Sequence, residues 1–135
     1  MRRGFIIALT TLILSVGIMY LVDPAGSMEI AEIDITSAPG RTEIRGMYGG
    51  LHLALGLFML ARIRARPVEL AYALQLAGFV FGSVAFGRLL GFAVEGEADL
   101  YNMIVTAIET AISTLSWLLW RGARNTYEGS PTDPS

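Results

Sequence analysis

Four long apolar segments constrain the fold of this chain more than any other feature. They run over about residues 5–22, 45–61, 68–90 and 100–120, and most charged residues lie between them. Each segment holds roughly 17 to 23 residues, which at ~1.5 Å per residue crosses a ~30 Å hydrocarbon core. Because lipid offers no partner to a backbone amide, the segments are predicted to be helices. The sequence therefore predicts an all-α fold, a four-helix transmembrane bundle.

The composition agrees with a membrane protein and excludes several other classes. Hydrophobic residues make up 53% of the 135 residues and charged residues 16%, against about 25% charged in an ordinary soluble domain. The net charge of −2 comes with no basic face, so no nucleic-acid partner is expected. Cysteine is absent, which excludes disulfides, iron–sulfur clusters and thiolate zinc sites. We predict no cofactor and no metal site.

Charges of opposite sign alternate between the connections. The arginines that flank the segments are Arg2, Arg3, Arg62, Arg64, Arg66, Arg121 and Arg124. The carboxylates of the two other connections are Asp23, Glu29, Glu32, Asp34, Glu95, Glu97 and Asp99. Since arginine is enriched in cytoplasmic loops, both termini are predicted to be cytoplasmic (N-in/C-in). We therefore expect a protein integral to a bacterial cytoplasmic (inner) membrane, with the acidic connections on the outer side.

Residues 1–122 are predicted to form one membrane domain, followed by a tail. Residues 123–135 are polar and contain proline, so we predict a disordered cytoplasmic tail. The connection over 23–42 is long, and long connections are often functional or disordered. Whether it acts as a lid over the outer side stays open.

Small residues at spacings of four or seven mark the expected helix contacts. Glycine and alanine let helix backbones approach closely in lipid, where no hydrophobic force drives helices together. The residues concerned are Gly49, Gly56, Gly78, Gly82, Gly87, Gly91, Ala107 and Ala111. The first segment offers only Gly17 and a few hydroxyls, so we expect it to pack at the periphery.

Four ionisable side chains lie within or beside the apolar segments: Arg45, His52, Arg88 and Glu109. Such residues are costly in lipid, and each is a candidate for function. The predicted topology places all four in the outer half of the membrane, with Glu109 ~13 Å deep. A carboxylate at that depth needs a proton or a cation, and His52 or an arginine would supply one.

These residues and their neighbours define a candidate polar site. Arg45, Tyr48, Gly49 and His52 share one helical face, and Asn102 lies two turns above Glu109. The candidate ligand-binding residues are Arg45, Tyr48, Gly49, His52, Arg88, Asn102 and Glu109. We assign no catalytic residue, because no nucleophile motif accompanies them.

Three short sequences carry a family resemblance. They are RGMYGG over residues 45–50, LALGLF over 53–58 and GRLLG over 87–91, followed by Glu109 in the last segment. Together they resemble a family of small bacterial four-span membrane proteins catalogued only as a domain of unknown function. The likeness extends from the first segment to about Trp120. It implies the four-span fold and marks Arg45, Tyr48 and Glu109, among others, as signature positions, but it implies no activity.

Three functions remain open. The first is an accessory or structural subunit, in a larger membrane complex or a homo-oligomer, whose polar cluster of Arg45, Arg88 and Glu109 fixes helix packing. The second is a binding module that holds an anionic lipid, a quinone or another amphiphile in an outer-leaflet pocket, with membrane lipid as its partner. The third is a proton-coupled enzyme or transporter that uses Glu109 and His52. The small polar set favours the enzyme least.

Overall fold

The computed structural model describes residues 1–64 and 66–128. The helices are α1 (Arg2–Val22), α2 (Pro24–Glu29), α3 (Ala38–Ile44), a π-helical turn (Arg45–Gly50), α4 (Leu51–Arg62), α5 (Pro67–Glu95) and α6 (Leu100–Glu128). These described residues contain no strand, which confirms the all-α prediction. Four helical stretches are long and apolar enough to cross a membrane: Arg2–Val22, Ala38–Arg62, Val68–Glu95 and Leu100–Ala123.

The chain divides into two compact units, each built on one pair of these spans. The first unit is Met1–Arg64 and the second is Ala65–Ser135. No more than 28% of the most apolar window of any span is buried. The remaining surface is largely apolar, as expected for helices whose outer faces are solvated by lipid.

In the first unit, Asp23 separates α1 from α2. Its backbone N–H donates to the Met19 carbonyl at 2.9 Å and closes α1. Its side chain accepts from the Gly26 N–H at 3.0 Å and caps α2, which begins with Pro24. The predicted connection over 23–42 therefore contains a short capped helix, and Met28 of that helix is buried.

The second span begins earlier than the predicted residue 45. Ser37 caps α3 by accepting from the Gly40 N–H at 3.0 Å, and Pro39 occupies the first turn, where its missing N–H costs nothing. Backbone angles at Ile44 and Leu51 remain right-handed helical, so α3, the π-helical turn and α4 form one continuous helix. Ser37 and Pro39, which precede the apolar run, are a local signal for the start of a helix. A hydropathy profile does not detect that signal.

Close backbone approach at glycines joins α1 to the second span. A Cβ at Gly17 would lie 2.9 Å from the Leu53 nitrogen, and one at Gly49 would lie 2.7 Å from Leu21 Cγ. A Cβ at Gly56 would lie 2.5 Å from Leu14 Cδ2. The expected packing roles of Gly49 and Gly56 are thus present. The α1 helix, expected at the periphery, packs closely against the second span within this unit, because Gly17 admits the partner backbone.

In the second unit, α5 and α6 form a helical hairpin. Pro67 starts α5, and Gly96 ends it in the left-handed conformation with φ 73°, which glycine adopts without a Cβ penalty. The predicted third span ended at residue 90, but Gly91 remains helical and α5 continues to Glu95. Similarly, α6 continues to Glu128 and includes residues 123–128 of the predicted tail, since no proline or glycine follows Gly122 until residue 129. Residues 129–135 lie outside the described residues.

Only part of the predicted small-residue pattern holds α5 against α6. A Cβ at Gly78 would lie 2.8 Å from Trp117 Nε1, and one at Gly82 would lie 2.9 Å from Ser113 Oγ. No described atom lies within 4 Å of a Cβ at Gly87 or Gly91. Ala107 and Ala111 are exposed, so these four residues do not contribute to the contact between α5 and α6. The spacing of glycines along a helix does not by itself show which face of that helix contacts the neighbouring helix.

Candidate functional site

Glu109 is the most deeply placed charged residue of the second unit. Only 8% of its surface is exposed. Arg88 Nε lies 3.1 Å from Glu109 Oε2 and 3.3 Å from Oε1. Because Nε carries a single hydrogen, these are two halves of one shared hydrogen bond. The cation that the sequence required for Glu109 is therefore Arg88, the arginine alternative of the prediction.

The same guanidinium continues into a chain of hydrogen bonds. Arg88 Nη1 donates to Asn102 Oδ1, and Asn102 Nδ2 donates to Asp99 Oδ2 at 2.7 Å. Asp99 also caps α6, since the Asn102 backbone N–H donates to its Oδ1 at 2.8 Å. We call Arg88, Asp99, Asn102 and Glu109 the Arg88 cluster. It links the end of α5 to the first three turns of α6.

Asp99 lies before the membrane span, and its hydrogen bonds alter its acidity. The backbone N–H of Asn102 and then the Asn102 side chain hold the pKa of the Asp99 carboxyl below its ordinary value of 3.8. Both donors stabilise the carboxylate relative to the acid. Asp99 therefore stays ionised at the pH of any ordinary membrane surface.

A stripe of small polar residues continues the Arg88 cluster along α6. Its members, spaced four and three residues apart, are Asn102, Thr106, Glu109, Ser113 and Ser116. Ser113 Oγ donates to the Gly78 carbonyl at 2.8 Å across the hairpin, and Ser116 is fully buried. We did not single out Ser113, Ser116 or Asp99 from the sequence. The heptad spacing of polar residues from Asn102 to Ser116 is the signal that would have found the two serines.

A cavity of about 310 Å³ opens beside the Arg88 cluster at the connection between α5 and α6. Its lining residues are Arg88, Gly91, Phe92, Glu95, Glu97, Asp99 and Asn102. A volume of this size is at the lower end of the range for small-molecule sites, ~300–1,000 Å³. The cavity carries one guanidinium and three carboxylates, so it is not a simple anion site.

In the first unit, Arg45 acts on the end of α1. Arg45 Nε donates to the Leu21 carbonyl at 3.0 Å. That carbonyl belongs to the last turn of α1, where four acceptors lack intrahelical partners and the helix dipole is negative. Arg45 therefore both satisfies an orphan acceptor and places a cation at a helix C-terminus.

Tyr48 and His52 lie on the π-helical turn and the start of α4. His52 Nδ1 donates to the Tyr48 carbonyl at 2.6 Å, since a carbonyl oxygen only accepts. The Tyr20 ring centroid lies 5.4 Å from that of Tyr48 and 5.9 Å from that of His52. We call Tyr20, Tyr48 and His52 the Tyr48 cluster.

The seven predicted site residues thus fall into two groups of described contacts. Arg45, Tyr48, Gly49 and His52 make theirs within the first unit. Arg88, Asn102 and Glu109 make theirs within the second. A single ligand site formed by all seven stays a prediction. Among the described residues, no group of three or more His, Asp or Glu side chains is arranged to hold a metal ion.

Comparison with known proteins identifies the family. The chain belongs to the family defined by the domain of unknown function DUF4345, whose model matches residues 1–120. This confirms the resemblance carried by the RGMYGG and GRLLG sequences and by Glu109. No curated protein and no solved structure matches the chain.

Proposed function

We propose that this protein is a structural or accessory subunit of a bacterial cytoplasmic membrane, in which the Arg88 cluster fixes the pairing of α5 with α6. The observation that carries the proposal is the pairing of Glu109. Its carboxylate is 8% exposed and is bonded to Arg88, which is in turn bonded to Asn102. Because the two charges neutralise each other, they are suited to setting the register of two helices rather than to taking part in a reaction.

The contacts of His52 give no support to the acid–base alternative. His52 Nδ1 is committed to the Tyr48 carbonyl and Glu109 is committed to Arg88. Each of these two side chains therefore has a local hydrogen-bond partner, which accounts for a polar group within an apolar helix. A proton-coupled enzyme or transporter would require a further group that activates one of them, and the geometry favours the structural role.

A double-mutant cycle tests the structural role of the Arg88 cluster. Arg88→Met leaves the Glu109 carboxylate, whose side chain is 10% exposed, without its cation and is expected to lower the free energy of unfolding by about 3–5 kcal/mol. Glu109→Leu should cost less, because the Arg88 side chain that it leaves unpaired is 30% exposed. The double variant replaces the pair by apolar side chains and should recover most of that loss. Reversible unfolding in mixed detergent micelles, followed by tryptophan fluorescence, measures all four proteins.

Arg66→Gln is the matched control for this cycle. Arg66 also contacts a carboxylate, Glu69, at 3.4 Å, but its side chain is 82% exposed. Its loss should cost no more than ~1 kcal/mol. Single variants of Arg88 and Glu109 as stable as the wild type would contradict the proposal. An accessory role further requires that the wild type, extracted in mild detergent, migrate as a defined assembly; a monomer alone would contradict that part.

The proposed topology has its own test. With no native cysteine in the chain, single cysteines report without background. Glu97→Cys should react with a membrane-impermeant maleimide added outside intact cells, and Arg64→Cys should react only after the membrane is opened. The reverse pattern would place both termini outside.

A further inference from the structure

The cavity beside Arg88 contains groups that the structural role does not use. A guanidinium has five N–H donors: one on Nε, two on Nη1 and two on Nη2. The described contacts of Arg88 engage Nε with Glu109 and one N–H of Nη1 with Asn102. Three N–H donors therefore have no described partner, and Arg88 lines the cavity, so they are available to phosphate or carboxylate oxygens, which accept such bonds.

Three carboxylates line the same cavity, and two of them, Glu95 and Glu97, have no described hydrogen bond or ion pair. Asp99 has both oxygens bonded to Asn102. Glu95 and Glu97 line the cavity and are exposed, and the described residues provide neither with a hydrogen-bond or ion-pair partner. The cavity thus offers spare donors from one cation and spare acceptors from two anions.

The balance of charge excludes a purely anionic ligand. Three carboxylates line the cavity against one guanidinium, and the charge of that guanidinium is already offset by Glu109. An anion without a compensating positive group would meet net repulsion, since like charges near a protein surface cost energy at contact distances. A ligand that carries both an anionic and a cationic group satisfies both sets of residues.

The lining of the cavity also indicates which kind of cationic group the ligand carries. Quaternary ammonium groups are recognised by several aromatic faces, whereas this cavity contains one aromatic side chain, Phe92. Carboxylates instead match the N–H donors of a primary ammonium. The anionic group is best read as a phosphate, because arginine at headgroup depth suits phosphate oxygens.

We infer that this cavity binds the headgroup of a zwitterionic aminophospholipid, with its phosphate on the free donors of Arg88 and its primary ammonium on Glu95 and Glu97. Gly87 and Gly91 lie on either side of Arg88 in the sequence of α5, and no described atom lies within 4 Å of a Cβ at either, which leaves space for the glycerol backbone and an acyl chain. The inference goes beyond the structural role but shares Arg88 with it, so its tests alter Glu95 and Glu97, which lie outside the Arg88 cluster.

Native mass spectrometry of the detergent-solubilised full chain tests the assignment. The probes are dioleoyl phosphatidylethanolamine, phosphatidylcholine and phosphatidylglycerol, titrated separately and in competition. The wild type should retain phosphatidylethanolamine about fivefold more strongly than either of the others, the scale expected for one additional exposed ion pair near its upper limit of ~1 kcal/mol. Equal retention of the three lipids, or a preference for phosphatidylglycerol, would overturn the inference.

Charge-matched variants separate the site from the net charge of the protein. Glu95→Gln with Glu97→Gln should abolish the preference for phosphatidylethanolamine and leave the unfolding free energy unchanged. Glu29→Gln with Glu43→Gln removes two exposed carboxylates from the first unit and should leave the preference intact. A preference that survives the first pair, or is lost in the second, contradicts the site.

A soluble headgroup distinguishes a lipid from a free metabolite of the same chemistry. Glycerophosphoethanolamine carries the phosphate and the primary ammonium without acyl chains. It should compete at least tenfold less well than the lipid, because the open face beside Gly87 and Gly91 would contribute nothing to its binding. Competition as strong as that of the lipid would overturn the assignment to a lipid.

Discussion

The two units solve the same problem of holding two helices together in lipid, but by different means. In the first unit, close approach at Gly17, Gly49 and Gly56 joins α1 to the second span, and the Arg45 and His52 side chains donate to backbone carbonyls. In the second, side chains of α5 and α6 bond to one another through Arg88, Asn102 and Glu109. Both units use close approach at glycines, but within the described residues only the second adds an ion pair between side chains of its two spans.

Aromatic packing sharpens this difference. Phe79 and Trp117 pack edge-to-face with centroids 4.9 Å apart, and Trp117 and Trp120 do so at 5.1 Å. Both tryptophans of the chain lie in α6, so tryptophan fluorescence reports on the second unit. Far-UV circular dichroism reports on both units, and the two signals together show which unit a substitution disturbs.

The largest effect that separates the units is expected at Gly17. Gly17→Val would place side-chain atoms against the Leu53 backbone, which cannot rotate away, and should cost about 1–3 kcal/mol. Circular dichroism should show this loss before tryptophan fluorescence does. Gly87→Ala is the control, because no described atom lies near its Cβ; it should be neutral or slightly stabilising. Equal losses at both glycines would show that the close approach of Leu53 is not what makes the substitution at Gly17 costly.

A smaller effect is expected at Arg45. Arg45→Met removes the cation and the donor at the end of α1 and should cost roughly 0.3–1 kcal/mol. Arg45→Lys keeps the charge but not the geometry of the Nε donor and should recover part of the loss. Thermal unfolding by circular dichroism measures both. A loss as large as that of Arg88→Met would remove the distinction between local capping in one unit and a buried ion pair in the other.

The smallest effect concerns acid and Asp99. Since the folded pKa of Asp99 lies below its ordinary 3.8, its contribution is fully present above that pH and is lost as the pH falls through the folded value. Asp99→Asn keeps a good N-cap residue but cannot titrate. Tryptophan-monitored melting from about pH 5 down through 3.8 and below should therefore show a steeper decline in the wild type than in the variant. Parallel curves for the two proteins would contradict this account.

Local signals predicted the elements better than their boundaries. Hydropathy found all four spans, because length and apolar character are demanded by the bilayer. It placed the second start at residue 45 rather than Ala38 and the third end at residue 90 rather than Glu95. Caps set those limits, and Ser37 and Gly96 were readable as cap residues. The π-helical turn over RGMYGG has no comparable cap residue in the sequence. The backbone at both of its ends remains right-handed helical.

The sequence predicted which residues belong to the candidate site, but not which of them pair with one another. Arg88, Asn102 and Glu109 were all named from the sequence, and the need of Glu109 for a cation followed from the cost of burying charge. Which cation it takes depends on how α5 and α6 are rotated about their axes. Gly87 and Gly91 were expected in a helix contact for the same reason, and they lie on an open face instead.

The sequence by itself determined that this chain has four apolar helices, where its charges are concentrated and which ionisable groups require partners, because these follow from solvation and from the chemistry of single residues. Only the tertiary structure decided that Arg88 is the partner of Glu109, that Gly17 admits the second span, and that a cavity of mixed charge opens beside Arg88. Those features depend on helix rotation and distance. In lipid these are set by the fit of whole helix surfaces, which no single residue encodes.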